Sequence, residues 1–149
     1  MSASHACPAM VITCMDWRLH PGLAHRLRAR VEGPFDWVTV PGAARGLIAD
    51  AGDSLRDVLL DALDTAVQLH GVGQVILVHH TDCGAYGGSA TFPDAASEQA
   101  QHRADMASAA SVIEARHPSV DVMCLLVRLE EGVQGWALHL DADADEQAP

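Results

Sequence analysis

Val75-Ile76-Leu77-Val78-His79-His80-Thr81-Asp82-Cys83-Gly84 is the stretch that decides how this chain is read. Its apolar run, rich in β-branched residues, has the composition of a strand buried on both faces, and it breaks directly into a His-x-x-Cys turn. A second stretch near the N-terminus has the same shape: Met10-Val11-Ile12-Thr13 ends in Cys14-Met15-Asp16-Trp17-Arg18. Two strand ends therefore carry two thiols, an imidazole, a carboxylate and a guanidinium. That set suffices for a catalytic zinc site with three protein ligands and an open fourth position.

Outward from these two stretches the hydrophobic periodicity alternates between strand and helix. Residues 9–14 form a first strand. A helix opens at Pro21, with Leu23, Ala24, Leu27 and Val31 at helical spacing, and stops at Gly33-Pro34. Phe35 to Val40 has strand composition and ends at Pro41-Gly42, followed by a glycine-punctuated loop from Ala43 to Gly52. Leu55, Val58, Leu59, Ala62, Leu63, Ala66 and Val67 draw one apolar stripe, with Ser54 and Asp57 as a capping box and Gly71 as the C-terminal cap. The strand 74–80 comes next, then a mobile-looking Gly84–Ala90 and an Ala-rich helix from Asp94 to Arg116. Val120 to Leu129 is a further buried strand, and Leu129 to Leu140 reads as a hairpin or a strand plus loop.

This alternation predicts an α/β fold with a parallel sheet of about four strands, helices on both faces and room for an extra C-terminal strand. Residues 1–140 are expected to form one domain and residues 141–149 an acidic, disordered tail. Ligands of such sheets bind beyond the carboxyl ends of the strands. Adjacent pairing of the first and third strands, as in the order 2-1-3-4, would bring Cys14 and His80 together there.

Composition narrows the chemistry. A chain of 149 residues, 49% hydrophobic, can bury a core without disulfides. The net charge of -11 disfavours nucleic acid and anionic membranes as partners and leaves small neutral substrates. All nine basic residues are Arg, so neither a Schiff base nor a phosphate-loop Lys is available. No stretch approaches the roughly 18–20 apolar residues of a membrane span, and Met1-Ser2-Ala3-Ser4-His5 lacks the features of a secretory signal, so a cytoplasmic location is expected.

Within the site, Cys14, His80 and Cys83 would fill three positions around zinc. Two thiolates cancel the ion's charge, so a bound water needs help to ionise. Asp16 can accept its hydrogen bond, and Arg18 can hold that carboxylate ionised through a bidentate pair. In extended backbone, residues 14, 16 and 18 face one side and Met15 and Trp17 the other.

Cys14-x-Asp16-x-Arg18 and His80-x-x-Cys83-Gly84, in this order and separated by strand, helix and strand, resemble the β-class carbonic anhydrases over roughly residues 9 to 135. The resemblance implies a parallel four-stranded core, a homodimer or higher homo-oligomer with sites near the subunit interface, and zinc-hydroxide attack on CO2 to give bicarbonate. It implies that Cys14, His80 and Cys83 are metal ligands and that Asp16 and Arg18 are the catalytic dyad. Some members let the dyad Asp ligate zinc at rest, and compact relatives hydrolyse COS or CS2. Trp17 stands where small residues are usual, and its ring is expected to narrow or redirect the substrate pocket.

Other polar groups carry plainer expectations. Cys7, beside a proline, is read as a structural thiol and Cys124 as core. His79 alternates to the face opposite His80 and is expected to pack. Spacing selects neither His20 nor His25 as a proton shuttle. Gly87-Gly88-Ser89 lacks the following base of a phosphate cradle, and a cysteine phosphatase would need an Arg where Ser89 stands. The rivals to an enzyme are a zinc-stabilised binding module and a redox switch through Cys14 and Cys83.

Overall fold

Ala9–Cys14 is buried along its whole length and forms β1, the strand from which the sheet grows in both directions. In a computed structural model that describes residues 5–142, the chain continues through α1 (Gly22–Arg30), β2 (Phe35–Val40), α2 (Ser54–Thr65), β3 (Gln74–His80), α3 (Ala95–Arg116), β4 (Asp121–Gly132) and β5 (Gly135–Ala142). The sheet order is β2-β1-β3-β4-β5. The first four strands are parallel and β5 turns back antiparallel against β4. This is the expected order 2-1-3-4, and the segment after Leu129 resolves as a hairpin.

The steps β1 to β2 and β2 to β3 run in opposite directions across the sheet. Right-handed crossovers then place α1 on one face and α2 with α3 on the other. Val11, Ile12, Ile76, Leu77, Leu125 and Leu126 fill the sheet's interior and are essentially inaccessible to water. Each such side chain contributes about 1.5–3 kcal/mol of burial. The register that sets Thr13 beside Val78 leaves Cys14 and His80 at one carboxyl edge.

Three local expectations change. The cap of α2 is Asp53 rather than Ser54: its Oδ1 accepts the amide hydrogens of Leu55 and Arg56 at 2.9 and 3.2 Å. A charged acceptor at a helix N-terminus gains from the unpaired amides and the helix dipole together. Ala43–Ile48, expected as loop, coils into a 3-10 helix whose small buried residues Ala43, Ala44 and Gly46 let it lie against α2. Asp141 and Ala142, expected in the acidic tail, pair with Leu126 and Leu125 at the end of β5. Positions 143–149 lie outside the described residues. Gly71 caps the α2 segment in left-handed conformation, φ 71°, as its position predicted, after a wide last turn at Ala66–His70. Among the described residues no helix is long and apolar enough to cross a membrane.

The contact between Ala43–Ile48 and α2 offers a test of packing. A Cβ on Gly46 would stand 2.7 Å from Leu59 Cδ1 and 3.0 Å from Leu55 Cγ, whereas one on Gly73 meets nothing within 4 Å. Gly46→Ala is expected to cost about 1–3 kcal/mol through overpacking. Gly73→Ala should change stability by less than about 0.5 kcal/mol. Urea unfolding midpoints of the two variants check this.

Candidate metal centre

Cys14 is the last residue of β1 and His80 the last of β3; Cys83 follows one turn later. All three are buried, and their ligand atoms lie within 4.8 Å of one another. The two sulfurs are 3.9 Å apart. His80 Nδ1 sits 2.8 Å from the Thr81 carbonyl, which can only accept, so Nδ1 carries the proton and Nε2 keeps a free lone pair. That Nε2 is buried and has no hydrogen-bond partner. A bare imidazole nitrogen and two thiols at this spacing fit a borderline-soft dication with nitrogen and sulfur ligands, and the Thr81 carbonyl is the outer partner that such an imidazole requires.

The two thiols are shifted in opposite directions. Cys14 is held below the ordinary thiol range, chiefly by its hydrogen bond with Cys83, despite burial. Cys83 is pushed above that range by the same bond and then by burial.

Beside this triangle the backbone does not stay extended through Arg18, as the spacing suggested. It turns: Asp16 caps the single 3-10 turn Trp17–Leu19, anchored by fully buried Leu19. Asp16 Oδ1 accepts from the Arg18 amide at 2.9 Å and from Nε at 3.0 Å, and Oδ2 accepts from Nη2 at 2.7 Å. Met15 and Trp17 point to solvent while Asp16 and Arg18 turn inward, so the expected segregation holds for a different reason: cap geometry replaces strand alternation. The Arg18 fork holds the Asp16 carboxyl below the usual carboxylate range. Asp16 Oδ2 stands 3.8 Å from His80 Nε2, at the border of the metal triangle.

Two further residues close on Arg18, and a third on Asp82, that the sequence reading did not select. Asp82 Oδ2 accepts from Nη1 and the Asp82 carbonyl from Nη2, both at 2.8 Å. The Trp136 ring, from β5, lies 4.9 Å from the guanidinium carbon. Glu98, on the first turn of α3, accepts the Asp82 amide hydrogen at 2.6 Å. Asp82 was visible between two ligands of the His-x-x-Cys turn, but an exposed acid there signals nothing by itself. Trp136 and Glu98 approach only through the fold.

The segment Gly84–Ala90, expected to be mobile, is tied down. Tyr86 and Gly88 amides donate to the Cys83 carbonyl at 3.0 Å, and the Ser89 hydroxyl donates to Glu98 at 2.8 Å. A cavity of about 220 Å³ opens beside Cys14 and Asp16, walled by Met15, Pro41, Gly42, Gly84 and Ala85. Trp17 is 73% exposed and not part of the wall, so its ring does not narrow this space. Gly42 preserves it: at φ 73° only glycine is unstrained, and a Cβ would meet Ala85 Cβ at 2.9 Å. A larger hollow of about 390 Å³ between Trp37, Thr65 and His70 holds none of these ligands.

The remaining expectations resolve simply. Cys7 is buried with its thiol on the Ala9 and Pro34 carbonyls, and Cys124 lies in the core. His79 packs beneath α3, its Nδ1 3.0 Å from His102 Nδ1. His20 is exposed, its ring 5.3 Å from that of Trp37.

A Cys-His-Cys cluster that could hold a metal thus stands at the carboxyl edge of an α/β sheet. Residues 4–135 match the family described as "Putative carbonic anhydrase", and the chain belongs to that family. Its relatives include an uncharacterized protein of Rickettsia conorii, 28% identical over 129 residues, covering 84% of this chain and 69% of that protein. Another, from Rickettsia bellii, is 25% identical over 125 residues, covering 81% and 76%. Among solved structures the chain is similar to the β-carbonic anhydrase CafA of Aspergillus fumigatus, with a TM-score of 0.58 and 14% identity over 91% of this chain and 76% of that one. The β-carbonic anhydrase CcaA matches with a TM-score of 0.57 and 12% identity over 83% and 75%. At these identities the likeness shows the fold.

The uneven thiol pair predicts a proton count. With the Cys14 thiol held below and the Cys83 thiol above the ordinary range, binding of a divalent ion should release about one proton from the thiol pair at neutral pH. Calorimetry of zinc binding in buffers of different ionisation enthalpy measures this. Release of two protons would show that both thiols are protonated beforehand.

Proposed function

We propose that this protein hydrates carbon dioxide reversibly to bicarbonate, with zinc held by Cys14, His80 and Cys83 and with Asp16 and Arg18 as the catalytic pair. One observation carries the reading: a buried sulfur-nitrogen-sulfur triangle stands directly against a carboxylate gripped by an arginine fork, beside a small cavity. Bound zinc would supply a water acidified toward neutral pH as the nucleophile.

The chain's own residues supply the rest. Asp16, kept ionised by Arg18, is placed to accept a proton or a hydrogen bond at Oδ2. It thereby orients a nucleophilic oxygen toward the cavity. Because Arg18 engages both oxygens of Asp16, the carboxylate is better placed as this acceptor than as a fourth ligand. The walls, Met15, Pro41 and Ala85, offer apolar contact to a linear triatomic molecule. The same walls would admit COS or CS2, which makes their hydrolysis the second reading. The active unit in this proposal is a cytoplasmic homodimer or larger homo-oligomer of a domain spanning residues 1–140. Met15 and Trp17, exposed beside the cavity, support an interface near the site.

The zinc-loaded protein should hydrate CO2 in a stopped-flow assay. Asp16→Asn should retain its metal and lose about 10²–10⁴-fold in kcat/KM. Sulfide release from COS or CS2 without CO2 hydration would establish the second reading. Absence of turnover on all three substrates would leave a zinc-stabilised binding module.

A further inference from the structure

Arg18 is a long, flexible side chain asked to hold a carboxylate in one orientation, and one bidentate partner leaves it free to swing about its own bonds. The structure gives it a second anchor. Asp82 takes Nη1 with its carboxylate and Nη2 with its carbonyl, each at 2.8 Å, so the plane of the guanidinium is defined from two sides. The Asp82 backbone that presents both oxygens to Arg18 is left-handed, φ 56°, a conformation that few residues other than glycine, asparagine and aspartate visit.

That conformation is secured by a closed ring of hydrogen bonds. The Asp82 amide donates to Glu98 Oε1 at 2.6 Å, the Ser89 amide donates to Asp82 Oδ1 at 2.9 Å, and the Ser89 hydroxyl donates to Glu98 at 2.8 and 2.9 Å. Glu98 is 3% exposed. A carboxylate so buried is costly unless its lone pairs are filled, and here both donors come from the turn that carries Cys83. Its place in the first turn of α3 adds the favourable end of the helix dipole. Gly88 leaves room for the ring, since a Cβ there would lie 3.1 Å from Asp82 Oδ1.

We propose that Asp82 and Glu98 are positioning residues for the Asp16–Arg18 pair: Glu98 sets the Asp82 turn, and Asp82 fixes the guanidinium that aims Asp16. The proposal rests on the catalytic reading above for its kinetic consequence but not for its structural one. Neither residue touches the substrate cavity.

The test uses zinc-loaded, 15N-labelled protein, with the Arg18 Nε–H resonance identified by its loss in Arg18→Lys. Asp82→Asn tolerates the left-handed backbone and can keep the Ser89 contact, yet removes the charged anchor. It should raise the hydrogen-exchange rate of Arg18 Nε–H by about tenfold and lower kcat by about 10–100-fold, with KM within about twofold and zinc content unchanged. Glu98→Ala should act in the same direction, and Glu98→Gln, which keeps an accepting oxygen, should restore most of both readouts. Should Glu98→Ala not fold, Asp82→Asn decides alone. Exchange at Arg18 Nε–H and kcat both within about twofold of wild type in Asp82→Asn would overturn the proposal, as would a Glu98→Gln variant as impaired as Glu98→Ala. If the wild-type protein hydrates no CO2, the catalytic reading falls, and the exchange rate still decides the anchor.

Discussion

The parallel pairing of β1 with β3 is the constraint on which everything else depends. Cys14 and His80 are far apart in sequence, and nothing local holds them together. Both strands are buried on both faces, and the register that sets Ile12 beside Leu77 and Thr13 beside Val78 brings their ends to one edge. A slip of one residue would turn every side chain of a strand to the opposite face. It would move Cys14 away from its partner sulfur. The apolar burial that fixes the register is therefore also what assembles the ligand triangle.

That edge carries an electrostatic cost of its own. Two thiol sulfurs stand 3.9 Å apart, and the His80 Nε2 lies buried without a partner. Unsatisfied groups of this kind cost free energy in a protein built only for stability. An unpartnered nitrogen within 4.8 Å of two thiol sulfurs is a donor set that could hold a metal ion. A few ångströms away the opposite policy holds: Asp16, Arg18, Asp82, Ser89 and Glu98 satisfy one another in a continuous network. The residues that could hold a metal keep a nitrogen without a partner, and the groups around Arg18 are saturated.

The β4–β5 hairpin and α3, peripheral to the four-stranded core, both reach this network. Trp136 covers one face of the Arg18 guanidinium, and Glu98 grips the turn between His80 and Cys83. These contacts explain why a glycine-rich segment that reads as mobile is ordered around its carbonyls. Composition reports the freedom of a backbone but not the partners that remove it.

Much of this protein was legible in one dimension. The apolar runs 9–14, 35–40 and 74–80, the stripe along α2 and the stops at Gly33-Pro34 and Gly71 mark elements whose causes are local: periodicity, burial and cap chemistry. Spacing likewise singled out Cys14, Asp16, Arg18, His80 and Cys83, because each lies within a few residues of a strand end. The structure decided what depends on distance through space. It replaced Ser54 with Asp53 as a cap, turned Asp16 and Arg18 into a 3-10 turn, moved Trp17 out of the cavity wall, brought Asp82 and Trp136 onto Arg18 and set Glu98 on the Asp82 amide. Periodicity records which face of its own element a residue occupies; which residues of other elements meet it there follows only from the packing of the sheet.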